Sequence, residues 1–170
     1  LMREENRTFI HPFEGINTTL GAAGVGLELI DDHSDLDAVV VAVGGGGLMS
    51  GVAATVKLKN RNCEVYAVEP IGANSMSQSI KVGKPVTLNK IDTIADSLAP
   101  PMALPFSYSV CEKFVDQFVT VTDDQICAGL SLLQEEAKLA VEPAAGAVVA
   151  AAIWPLNKKL IGKKIGLVIC

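Results

Sequence analysis

Val39-Val40-Val41-Ala42-Val43-Gly44-Gly45-Gly46-Gly47-Leu48-Met49-Ser50-Gly51 decides how this chain is read. An apolar, β-branched run ends in four consecutive glycines, and a helix-compatible stretch follows from Leu48 to Lys59. Strand, glycine turn and helix in that order make an anion-binding corner. Backbone N–H groups converge at the start of a helix whose dipole favours negative charge. The apolar run is continuous and does not alternate, a pattern that belongs to a parallel sheet covered on both faces.

Working outward, Cys63 to Val68 reads as the next strand and ends in Glu69-Pro70, which completes a βαβ unit. Upstream, Leu20, Ala23, Leu27 and Ile30 predict a helix over 18–31 with Asn17 as its cap, and Thr8-Phe9-Ile10 predicts a short strand. Downstream, helices are expected over 73–82, 105–113, from Thr122 to about Leu139, and over 144–154, where Pro155 closes the last. Thr122-Asp123-Asp124-Gln125 matches a capping box with acidic residues in the first turn. Strands are expected over 116–121 and 165–169, with a loop from Gly83 to Thr93. The alternation argues an α/β fold with a mostly parallel sheet. Ligands in such sheets sit beyond the carboxyl ends of the strands. The glycine run, Glu69 and Cys170 all fall there.

With 170 residues and 49% hydrophobic content, the chain has the length of one large domain and enough apolar surface for a core. Aromatic residues make up only 5%, so that core is built of Val, Leu, Ile and Ala. The net charge is −5 and the lysines are scattered, which removes the electrostatic footprint of a nucleic-acid binder. Cys63, Cys111, Cys127 and Cys170 form no C-x-x-C pair, and His11 and His33 lie far from them. Buried, reduced thiols are therefore expected, with no zinc site and no disulfide framework. No run approaches the ~18 apolar residues of a membrane span, and the polar opening Leu1-Met2-Arg3-Glu4-Glu5-Asn6-Arg7 has no signal-peptide pattern. A cytoplasmic protein without a membrane partner is expected. The start on Leu1 and the stop on Cys170 at a strand end lead us to expect that both ends were cut from a longer protein.

Which phosphate would the glycine run hold? A flexible turn needs only one or two glycines. A dinucleotide site gains some support from Glu69, which stands 22 residues after Gly47 where a ribose-binding acid belongs. The G-x-G-x-x-G pattern nevertheless fails in both registers, at Met49 and at Ser50, and no Gly-Lys-Ser/Thr follows for a nucleotide triphosphate. A nicotinamide dinucleotide remains only a distant alternative.

The third reading is a phosphate cup for pyridoxal 5'-phosphate, and here the chain resembles a known family. The motifs are Phe9-Ile10-His11-Pro12-Phe13, Gly26-Leu27-Glu28-Leu29, Val43 to Leu48, Val65-Tyr66-Ala67-Val68-Glu69-Pro70, Thr93-Ile94-Ala95-Asp96, Lys138 to Ala144, and Val168-Ile169-Cys170. In this order and spacing they resemble the fold-type II pyridoxal-phosphate enzymes of the serine/threonine dehydratase and serine racemase group. The resemblance implies a three-layer αβα architecture like that of the tryptophan synthase β-subunit. Residues 1–16 would end the small domain and return to the large one, and 17–170 would form an incomplete cofactor domain. The resemblance also implies that Gly44, Gly45, Gly46, Gly47 and Leu48 hold the cofactor phosphate. Cys170 would stand at the pyridine nitrogen as a neutral partner, which favours β-elimination. Ser97 takes the place of a family glycine beside the cofactor, and Glu142 belongs to a motif close to the cofactor. As a plain helix-initiating acid beside Pro143, Glu142 would need no such role.

Departures from the family pattern bound the expectation. The family's glycine-glutamine-glycine-threonine stretch reads Gly21-Ala22-Ala23-Gly24, and its aspartate–glycine pair reads Asp96-Ser97. Members with a divalent cation pair a glutamate with a backbone carbonyl and an aspartate. Glu69 and Ala73 fit that pattern but the third position is Ser75, so no metal is expected. Glu69 then reads as a solvated strand end. The family's imine lysine and its substrate-carboxylate loop lie upstream of every motif present. Lys57, Lys59, Lys158, Lys159, Lys163 and Lys164 read as helix-face or turn charges. The resemblance thus implies the C-terminal part of an L-threonine or L-serine dehydratase that forms a 2-oxo acid and ammonia. Such a fragment would be inactive alone and a homodimer or homotetramer when full length. An amino-acid racemase with the same cofactor, and a non-catalytic cofactor-binding or regulatory chain, are the alternatives.

Overall fold

A computed structural model describes residues 4–170. Leu1-Met2-Arg3, the start of the expected 1–16 segment and of the polar opening, lie outside the described residues. The elements run α1 (Ile16–Asp32), β1 (Ala38–Ala42), α2 (Gly47–Lys59), β2 (Glu64–Pro70), α3 (Ser75–Val82), α4 (Pro105–Phe114), β3 (Gln117–Val121), α5 (Asp123–Glu136), α6 (Pro143–Ile153), α7 (Asn157–Leu160) and β4 (Ile165–Leu167). Short 3-10 turns at Ile71–Ala73 and Asp96–Leu98 complete them.

The four strands form one sheet in the order β3-β2-β1-β4, and every pairing is parallel. Val40 pairs with Tyr66 on one side and Leu167 on the other, which places β1 in the sheet interior. All five β1 residues are buried. Their side chains alternate between two cores. Ala38, Val40 and Ala42 join Tyr66 and Val68 under α6, and Val39, Val41 and Val43 join Val65 and Ala67 under α2. Helices therefore cover both faces, giving three α/β/α layers. A continuous apolar strand is what this burial demands.

Several boundaries differ from expectation for local physical reasons. Thr8-Phe9-Ile10 forms no strand and is exposed. α1 starts one turn-step earlier than Asn17 allows, capped by Gly15 at φ 90°. α5 has the expected reciprocal capping box between Thr122 and Gln125, but it stops at Glu136 where Lys138 adopts φ 59°. β4 spans three residues, although the Val168 N–H still reaches the Val40 carbonyl at 3.1 Å. α7 carries no apolar period of its own and was not expected. Cys63 and Cys111 are buried thiols, whereas Cys127 and Cys170 are exposed. Lys57 is no plain surface charge. Its side chain is only 16% exposed and pairs with Asp116 at 2.6 Å, and Asp116 also accepts the Val65 N–H.

Candidate functional site

β1 ends at Ala42 and α2 begins at Gly47, so the glycine run bridges the carboxyl edge of the sheet and a helix N-terminus. A cavity of about 340 Å³ opens there. Gly44, Gly45, Gly46, Gly47, Leu48, Ser97, Glu142 and Cys170 all line it, so the eight residues picked from the sequence are brought to one place. Pro12, Phe13, Leu98 and Pro100 line it too. They were not singled out as site residues, although Pro12 and Phe13 stand inside a quoted motif. Their signal was weak because apolar residues near a loop read as ordinary packing.

Ser97 and Phe13 crowd three of the four glycines. A Cβ at Gly44 would fall 2.7 Å from the Ser97 carbonyl oxygen, and one at Gly45 would fall 2.1 Å from the Phe13 ring. A Cβ at Gly47 would meet the Phe13 Cα at 2.9 Å. Gly46 alone of the four has a left-handed backbone, φ 92°, and turns the chain into α2. The first cap bond of α2 runs from the Ser50 N–H to the Gly46 carbonyl at 2.8 Å. Among the described residues, no turn or cap bond uses an N–H between Gly44 and Met49. The donors from Gly47 on are orphan N–H groups of a helix start, and the residues from Gly44 to Met49 line the cavity.

Two segments close the walls. The first runs through Pro12, Phe13 and Glu14. The Glu14 carboxylate accepts from the Phe106 N–H at 2.7 Å and the Ser107 N–H at 3.0 Å, and the Ser107 hydroxyl donates to the Phe13 carbonyl at 2.6 Å. The second runs from Asp92 to Pro100. The Asp123 carboxylate accepts from the Thr93 hydroxyl at 2.7 Å and the Ile94 N–H at 3.0 Å, and the Asp92 N–H donates to the Gly72 carbonyl at 3.0 Å. This second segment presses Ser97 onto Gly44.

Glu142 is the N-cap residue of α6, yet its side chain makes no capping bond. Its carboxylate lines the cavity with Cys170. Desolvation and the Glu142 charge raise the Cys170 thiol above its ordinary pKa, so the sulfur stays protonated and neutral. Glu69 corrects an expectation. It is fully buried and is not a solvated strand end. Its carboxylate accepts from the Met76 and Ser77 N–H groups, each at 2.8 Å, and from the Ser77 hydroxyl, which caps α3. Burial pushes its pKa up to about 7 against those bonds. It does not line the glycine cavity.

A pyridoxal-phosphate ligand fits these residues. Its phosphate would meet free N–H groups and a helix N-terminus, and a neutral thiol and an apolar wall remain for the ring. Among the described residues, no lysine or arginine lines the cavity, so backbone dipoles alone would carry the phosphate charge.

Comparison with known proteins agrees. The chain is 44% identical over 167 residues to phenylserine dehydratase of Ralstonia pickettii, covering 98% of this chain and 51% of that protein. It is 33% identical over 169 residues to L-threonine ammonia-lyase of Thermotoga maritima, covering 99% and 42%. Maize serine racemase superposes with a TM-score of 0.92 at 34% identity, covering 98% of this chain and 52% of that one. The chain therefore spans about half the length of the relatives it matches. The family described as pyridoxal-phosphate dependent enzymes matches residues 1–170. With its glycine cup at the carboxyl edge of a parallel sheet, the chain belongs to the pyridoxal-phosphate dependent enzymes of fold type II.

Proposed function

We propose that the full-length protein is a pyridoxal-phosphate-dependent ammonia-lyase that eliminates water from a β-hydroxy amino acid, L-threonine or L-serine, and releases a 2-oxo acid and ammonia. The observation that carries this reading is the Gly44–Gly47 cup with Cys170 lining the same cavity. Residues 17–170 belong to the cofactor domain in this reading.

The roles of this chain's residues follow from their chemistry. The N–H groups from Gly44 to Leu48 would hold the phosphate, whose charge the α2 N-terminus favours. Ser97, Leu98 and Pro100 form one wall, and Pro12 and Phe13 form another, so water is kept from the apolar half of the cavity. Cys170 would offer a neutral S–H to the ring nitrogen and withhold a negative charge. Bound there, pyridoxal phosphate would supply an electron sink at the substrate α-carbon, and a neutral partner would weaken that sink, which favours elimination.

The test is direct. Full-length apo-protein is loaded with pyridoxal phosphate and given L-threonine, L-serine and threo-phenylserine, and 2-oxo acid and substrate chirality are followed together. Formation of 2-oxo acid from a β-hydroxy amino acid is expected. Chiral inversion without 2-oxo acid would favour the racemase reading, and the absence of cofactor uptake would end both. A phenylserine preference would extend the substrate class to β-aryl compounds, which the apolar Phe13, Leu98 and Pro100 walls and the Ralstonia pickettii relative favour.

A further inference from the structure

α4 begins without a cap of its own. Leu104 occupies the N-cap position and offers no side-chain bond, and Pro105 follows at the first turn. The missing acceptor comes from far away in the chain. Glu14 takes the next two N–H groups of α4, Phe106 and Ser107, one on each carboxylate oxygen. A carboxylate at a helix N-terminus is held by both the bonds and the dipole. Ser107 then returns a hydroxyl bond to the Phe13 carbonyl, so Phe13 and Glu14 are fastened to one helix end by three hydrogen bonds.

This fastening faces the cup. The Phe13 ring lies against the bare face of Gly45, and the Phe13 backbone lies against Gly47. On the far side of the cup, a Cβ at Gly46 would fall 3.1 Å from the Ser107 Cβ. α4 therefore touches the glycine run directly through Ser107 and indirectly through Phe13. The side chain of His11 braces the ring edge-on, with centroids 4.6 Å apart.

We infer that Glu14 is a positioning residue: by anchoring Phe13 to the α4 N-terminus, it sets the conformation of Gly45 to Gly47 and thereby how tightly the cup retains a phosphate ligand. The inference rests on the pyridoxal-phosphate reading of the cavity. Glycine has no side chain to hold its own φ and ψ, so a run of four needs an outside template. Phe13 and Ser107 are that template, and Glu14 fixes both.

The test uses full-length apo-protein and two readouts, the dissociation constant for pyridoxal phosphate by fluorescence titration and amide hydrogen exchange without cofactor. Glu14→Ala removes both bonds to the α4 N-terminus and should raise the dissociation constant about tenfold. It should also speed exchange at Gly45, Gly46 and Gly47 as well as at Phe106 and Ser107. Glu14→Gln keeps one acceptor oxygen and should fall between parent and Ala. An unchanged dissociation constant with unchanged exchange at the glycines overturns the inference, even if the thermal midpoint drops. If the parent protein takes up no pyridoxal phosphate, the cofactor reading fails, and exchange at the glycines still decides the clamp. Should Glu14→Ala not fold, Ser107→Ala removes only the hydroxyl on the Phe13 carbonyl and must move both readouts in the same direction.

Discussion

At the scale of single residues, Glu69 shows how burial and hydrogen bonding oppose one another. Three donors favour its carboxylate, but complete burial favours the neutral acid, and burial prevails with a pKa near 7. The ordinary value of 4.5 describes the same group in the unfolded chain. Between those two pH values the folded protein holds more of the proton than the unfolded one does. The stability that Glu69 contributes is therefore complete below about 4.5, falls as the pH rises toward about 7, and is lost above it. Glu69→Gln removes this titration. The unfolding free energy of the parent minus that of the variant, from urea titrations, should be larger at about pH 5 than at about pH 8. Equal differences at both pH values would remove Glu69 from the pH dependence.

At the scale of elements, helices in this protein approach where side chains are missing. A Cβ at Gly146 in α6 would fall 2.5 Å from the Ile126 carbonyl of α5, and one at Gly129 in α5 would fall 2.3 Å from the Gly146 carbonyl. The obstacle is backbone, which cannot swing aside as a long side chain can. Gly146→Ala gains up to about 1 kcal/mol of helix propensity. It also forces α5 and α6 apart at an overpacking cost of roughly 1–3 kcal/mol. A net loss of stability is expected by urea unfolding. Gly21→Ala in α1 is the control, since a Cβ there meets nothing within 4 Å and only the propensity gain remains. Stabilisation by both substitutions would show that the α5–α6 contact yields. The α5 capping box belongs to this scale too. It was legible because Thr122 and Gln125 act within one turn, whereas the grip of Asp123 on Thr93 and Ile94 spans about thirty residues and leaves no local pattern.

At the scale of the whole molecule, the parallel sheet brings the ends of β1 and β2 and the start of α2 to one edge. In the proposed function, that edge holds the phosphate. The proposed turnover also needs an imine lysine, and no lysine among the described residues lines the cavity. The 170-residue chain on its own should therefore convert no L-threonine to 2-oxo acid in the presence of pyridoxal phosphate, whereas the proposed function expects the full-length protein to do so. Measurable turnover by the isolated chain would mean that the base comes from within it, and Lys57 can be set aside because Asp116 already holds its ammonium. Among the described residues no helix is long and apolar enough to cross a membrane.

Local order along the chain determined the parallel α/β class and the strand–glycine–helix corner. Both rest on a run or a spacing of neighbouring residues, so period and glycine content expose them, whereas Ser97, Glu142 and Cys170 are picked out by the resemblance of their motifs to a known family. The walls of the cavity came from the folded chain alone. Phe13 lies on Gly45, Glu14 caps a helix more than ninety residues later, and Asp123 holds the segment that carries Ser97. Glu69 belongs to the same class, because whether a carboxylate at a strand end meets water or the N-terminus of α3 depends on where the next helix packs. Contacts between distant segments are chosen by packing in three dimensions, and a linear pattern holds no record of them.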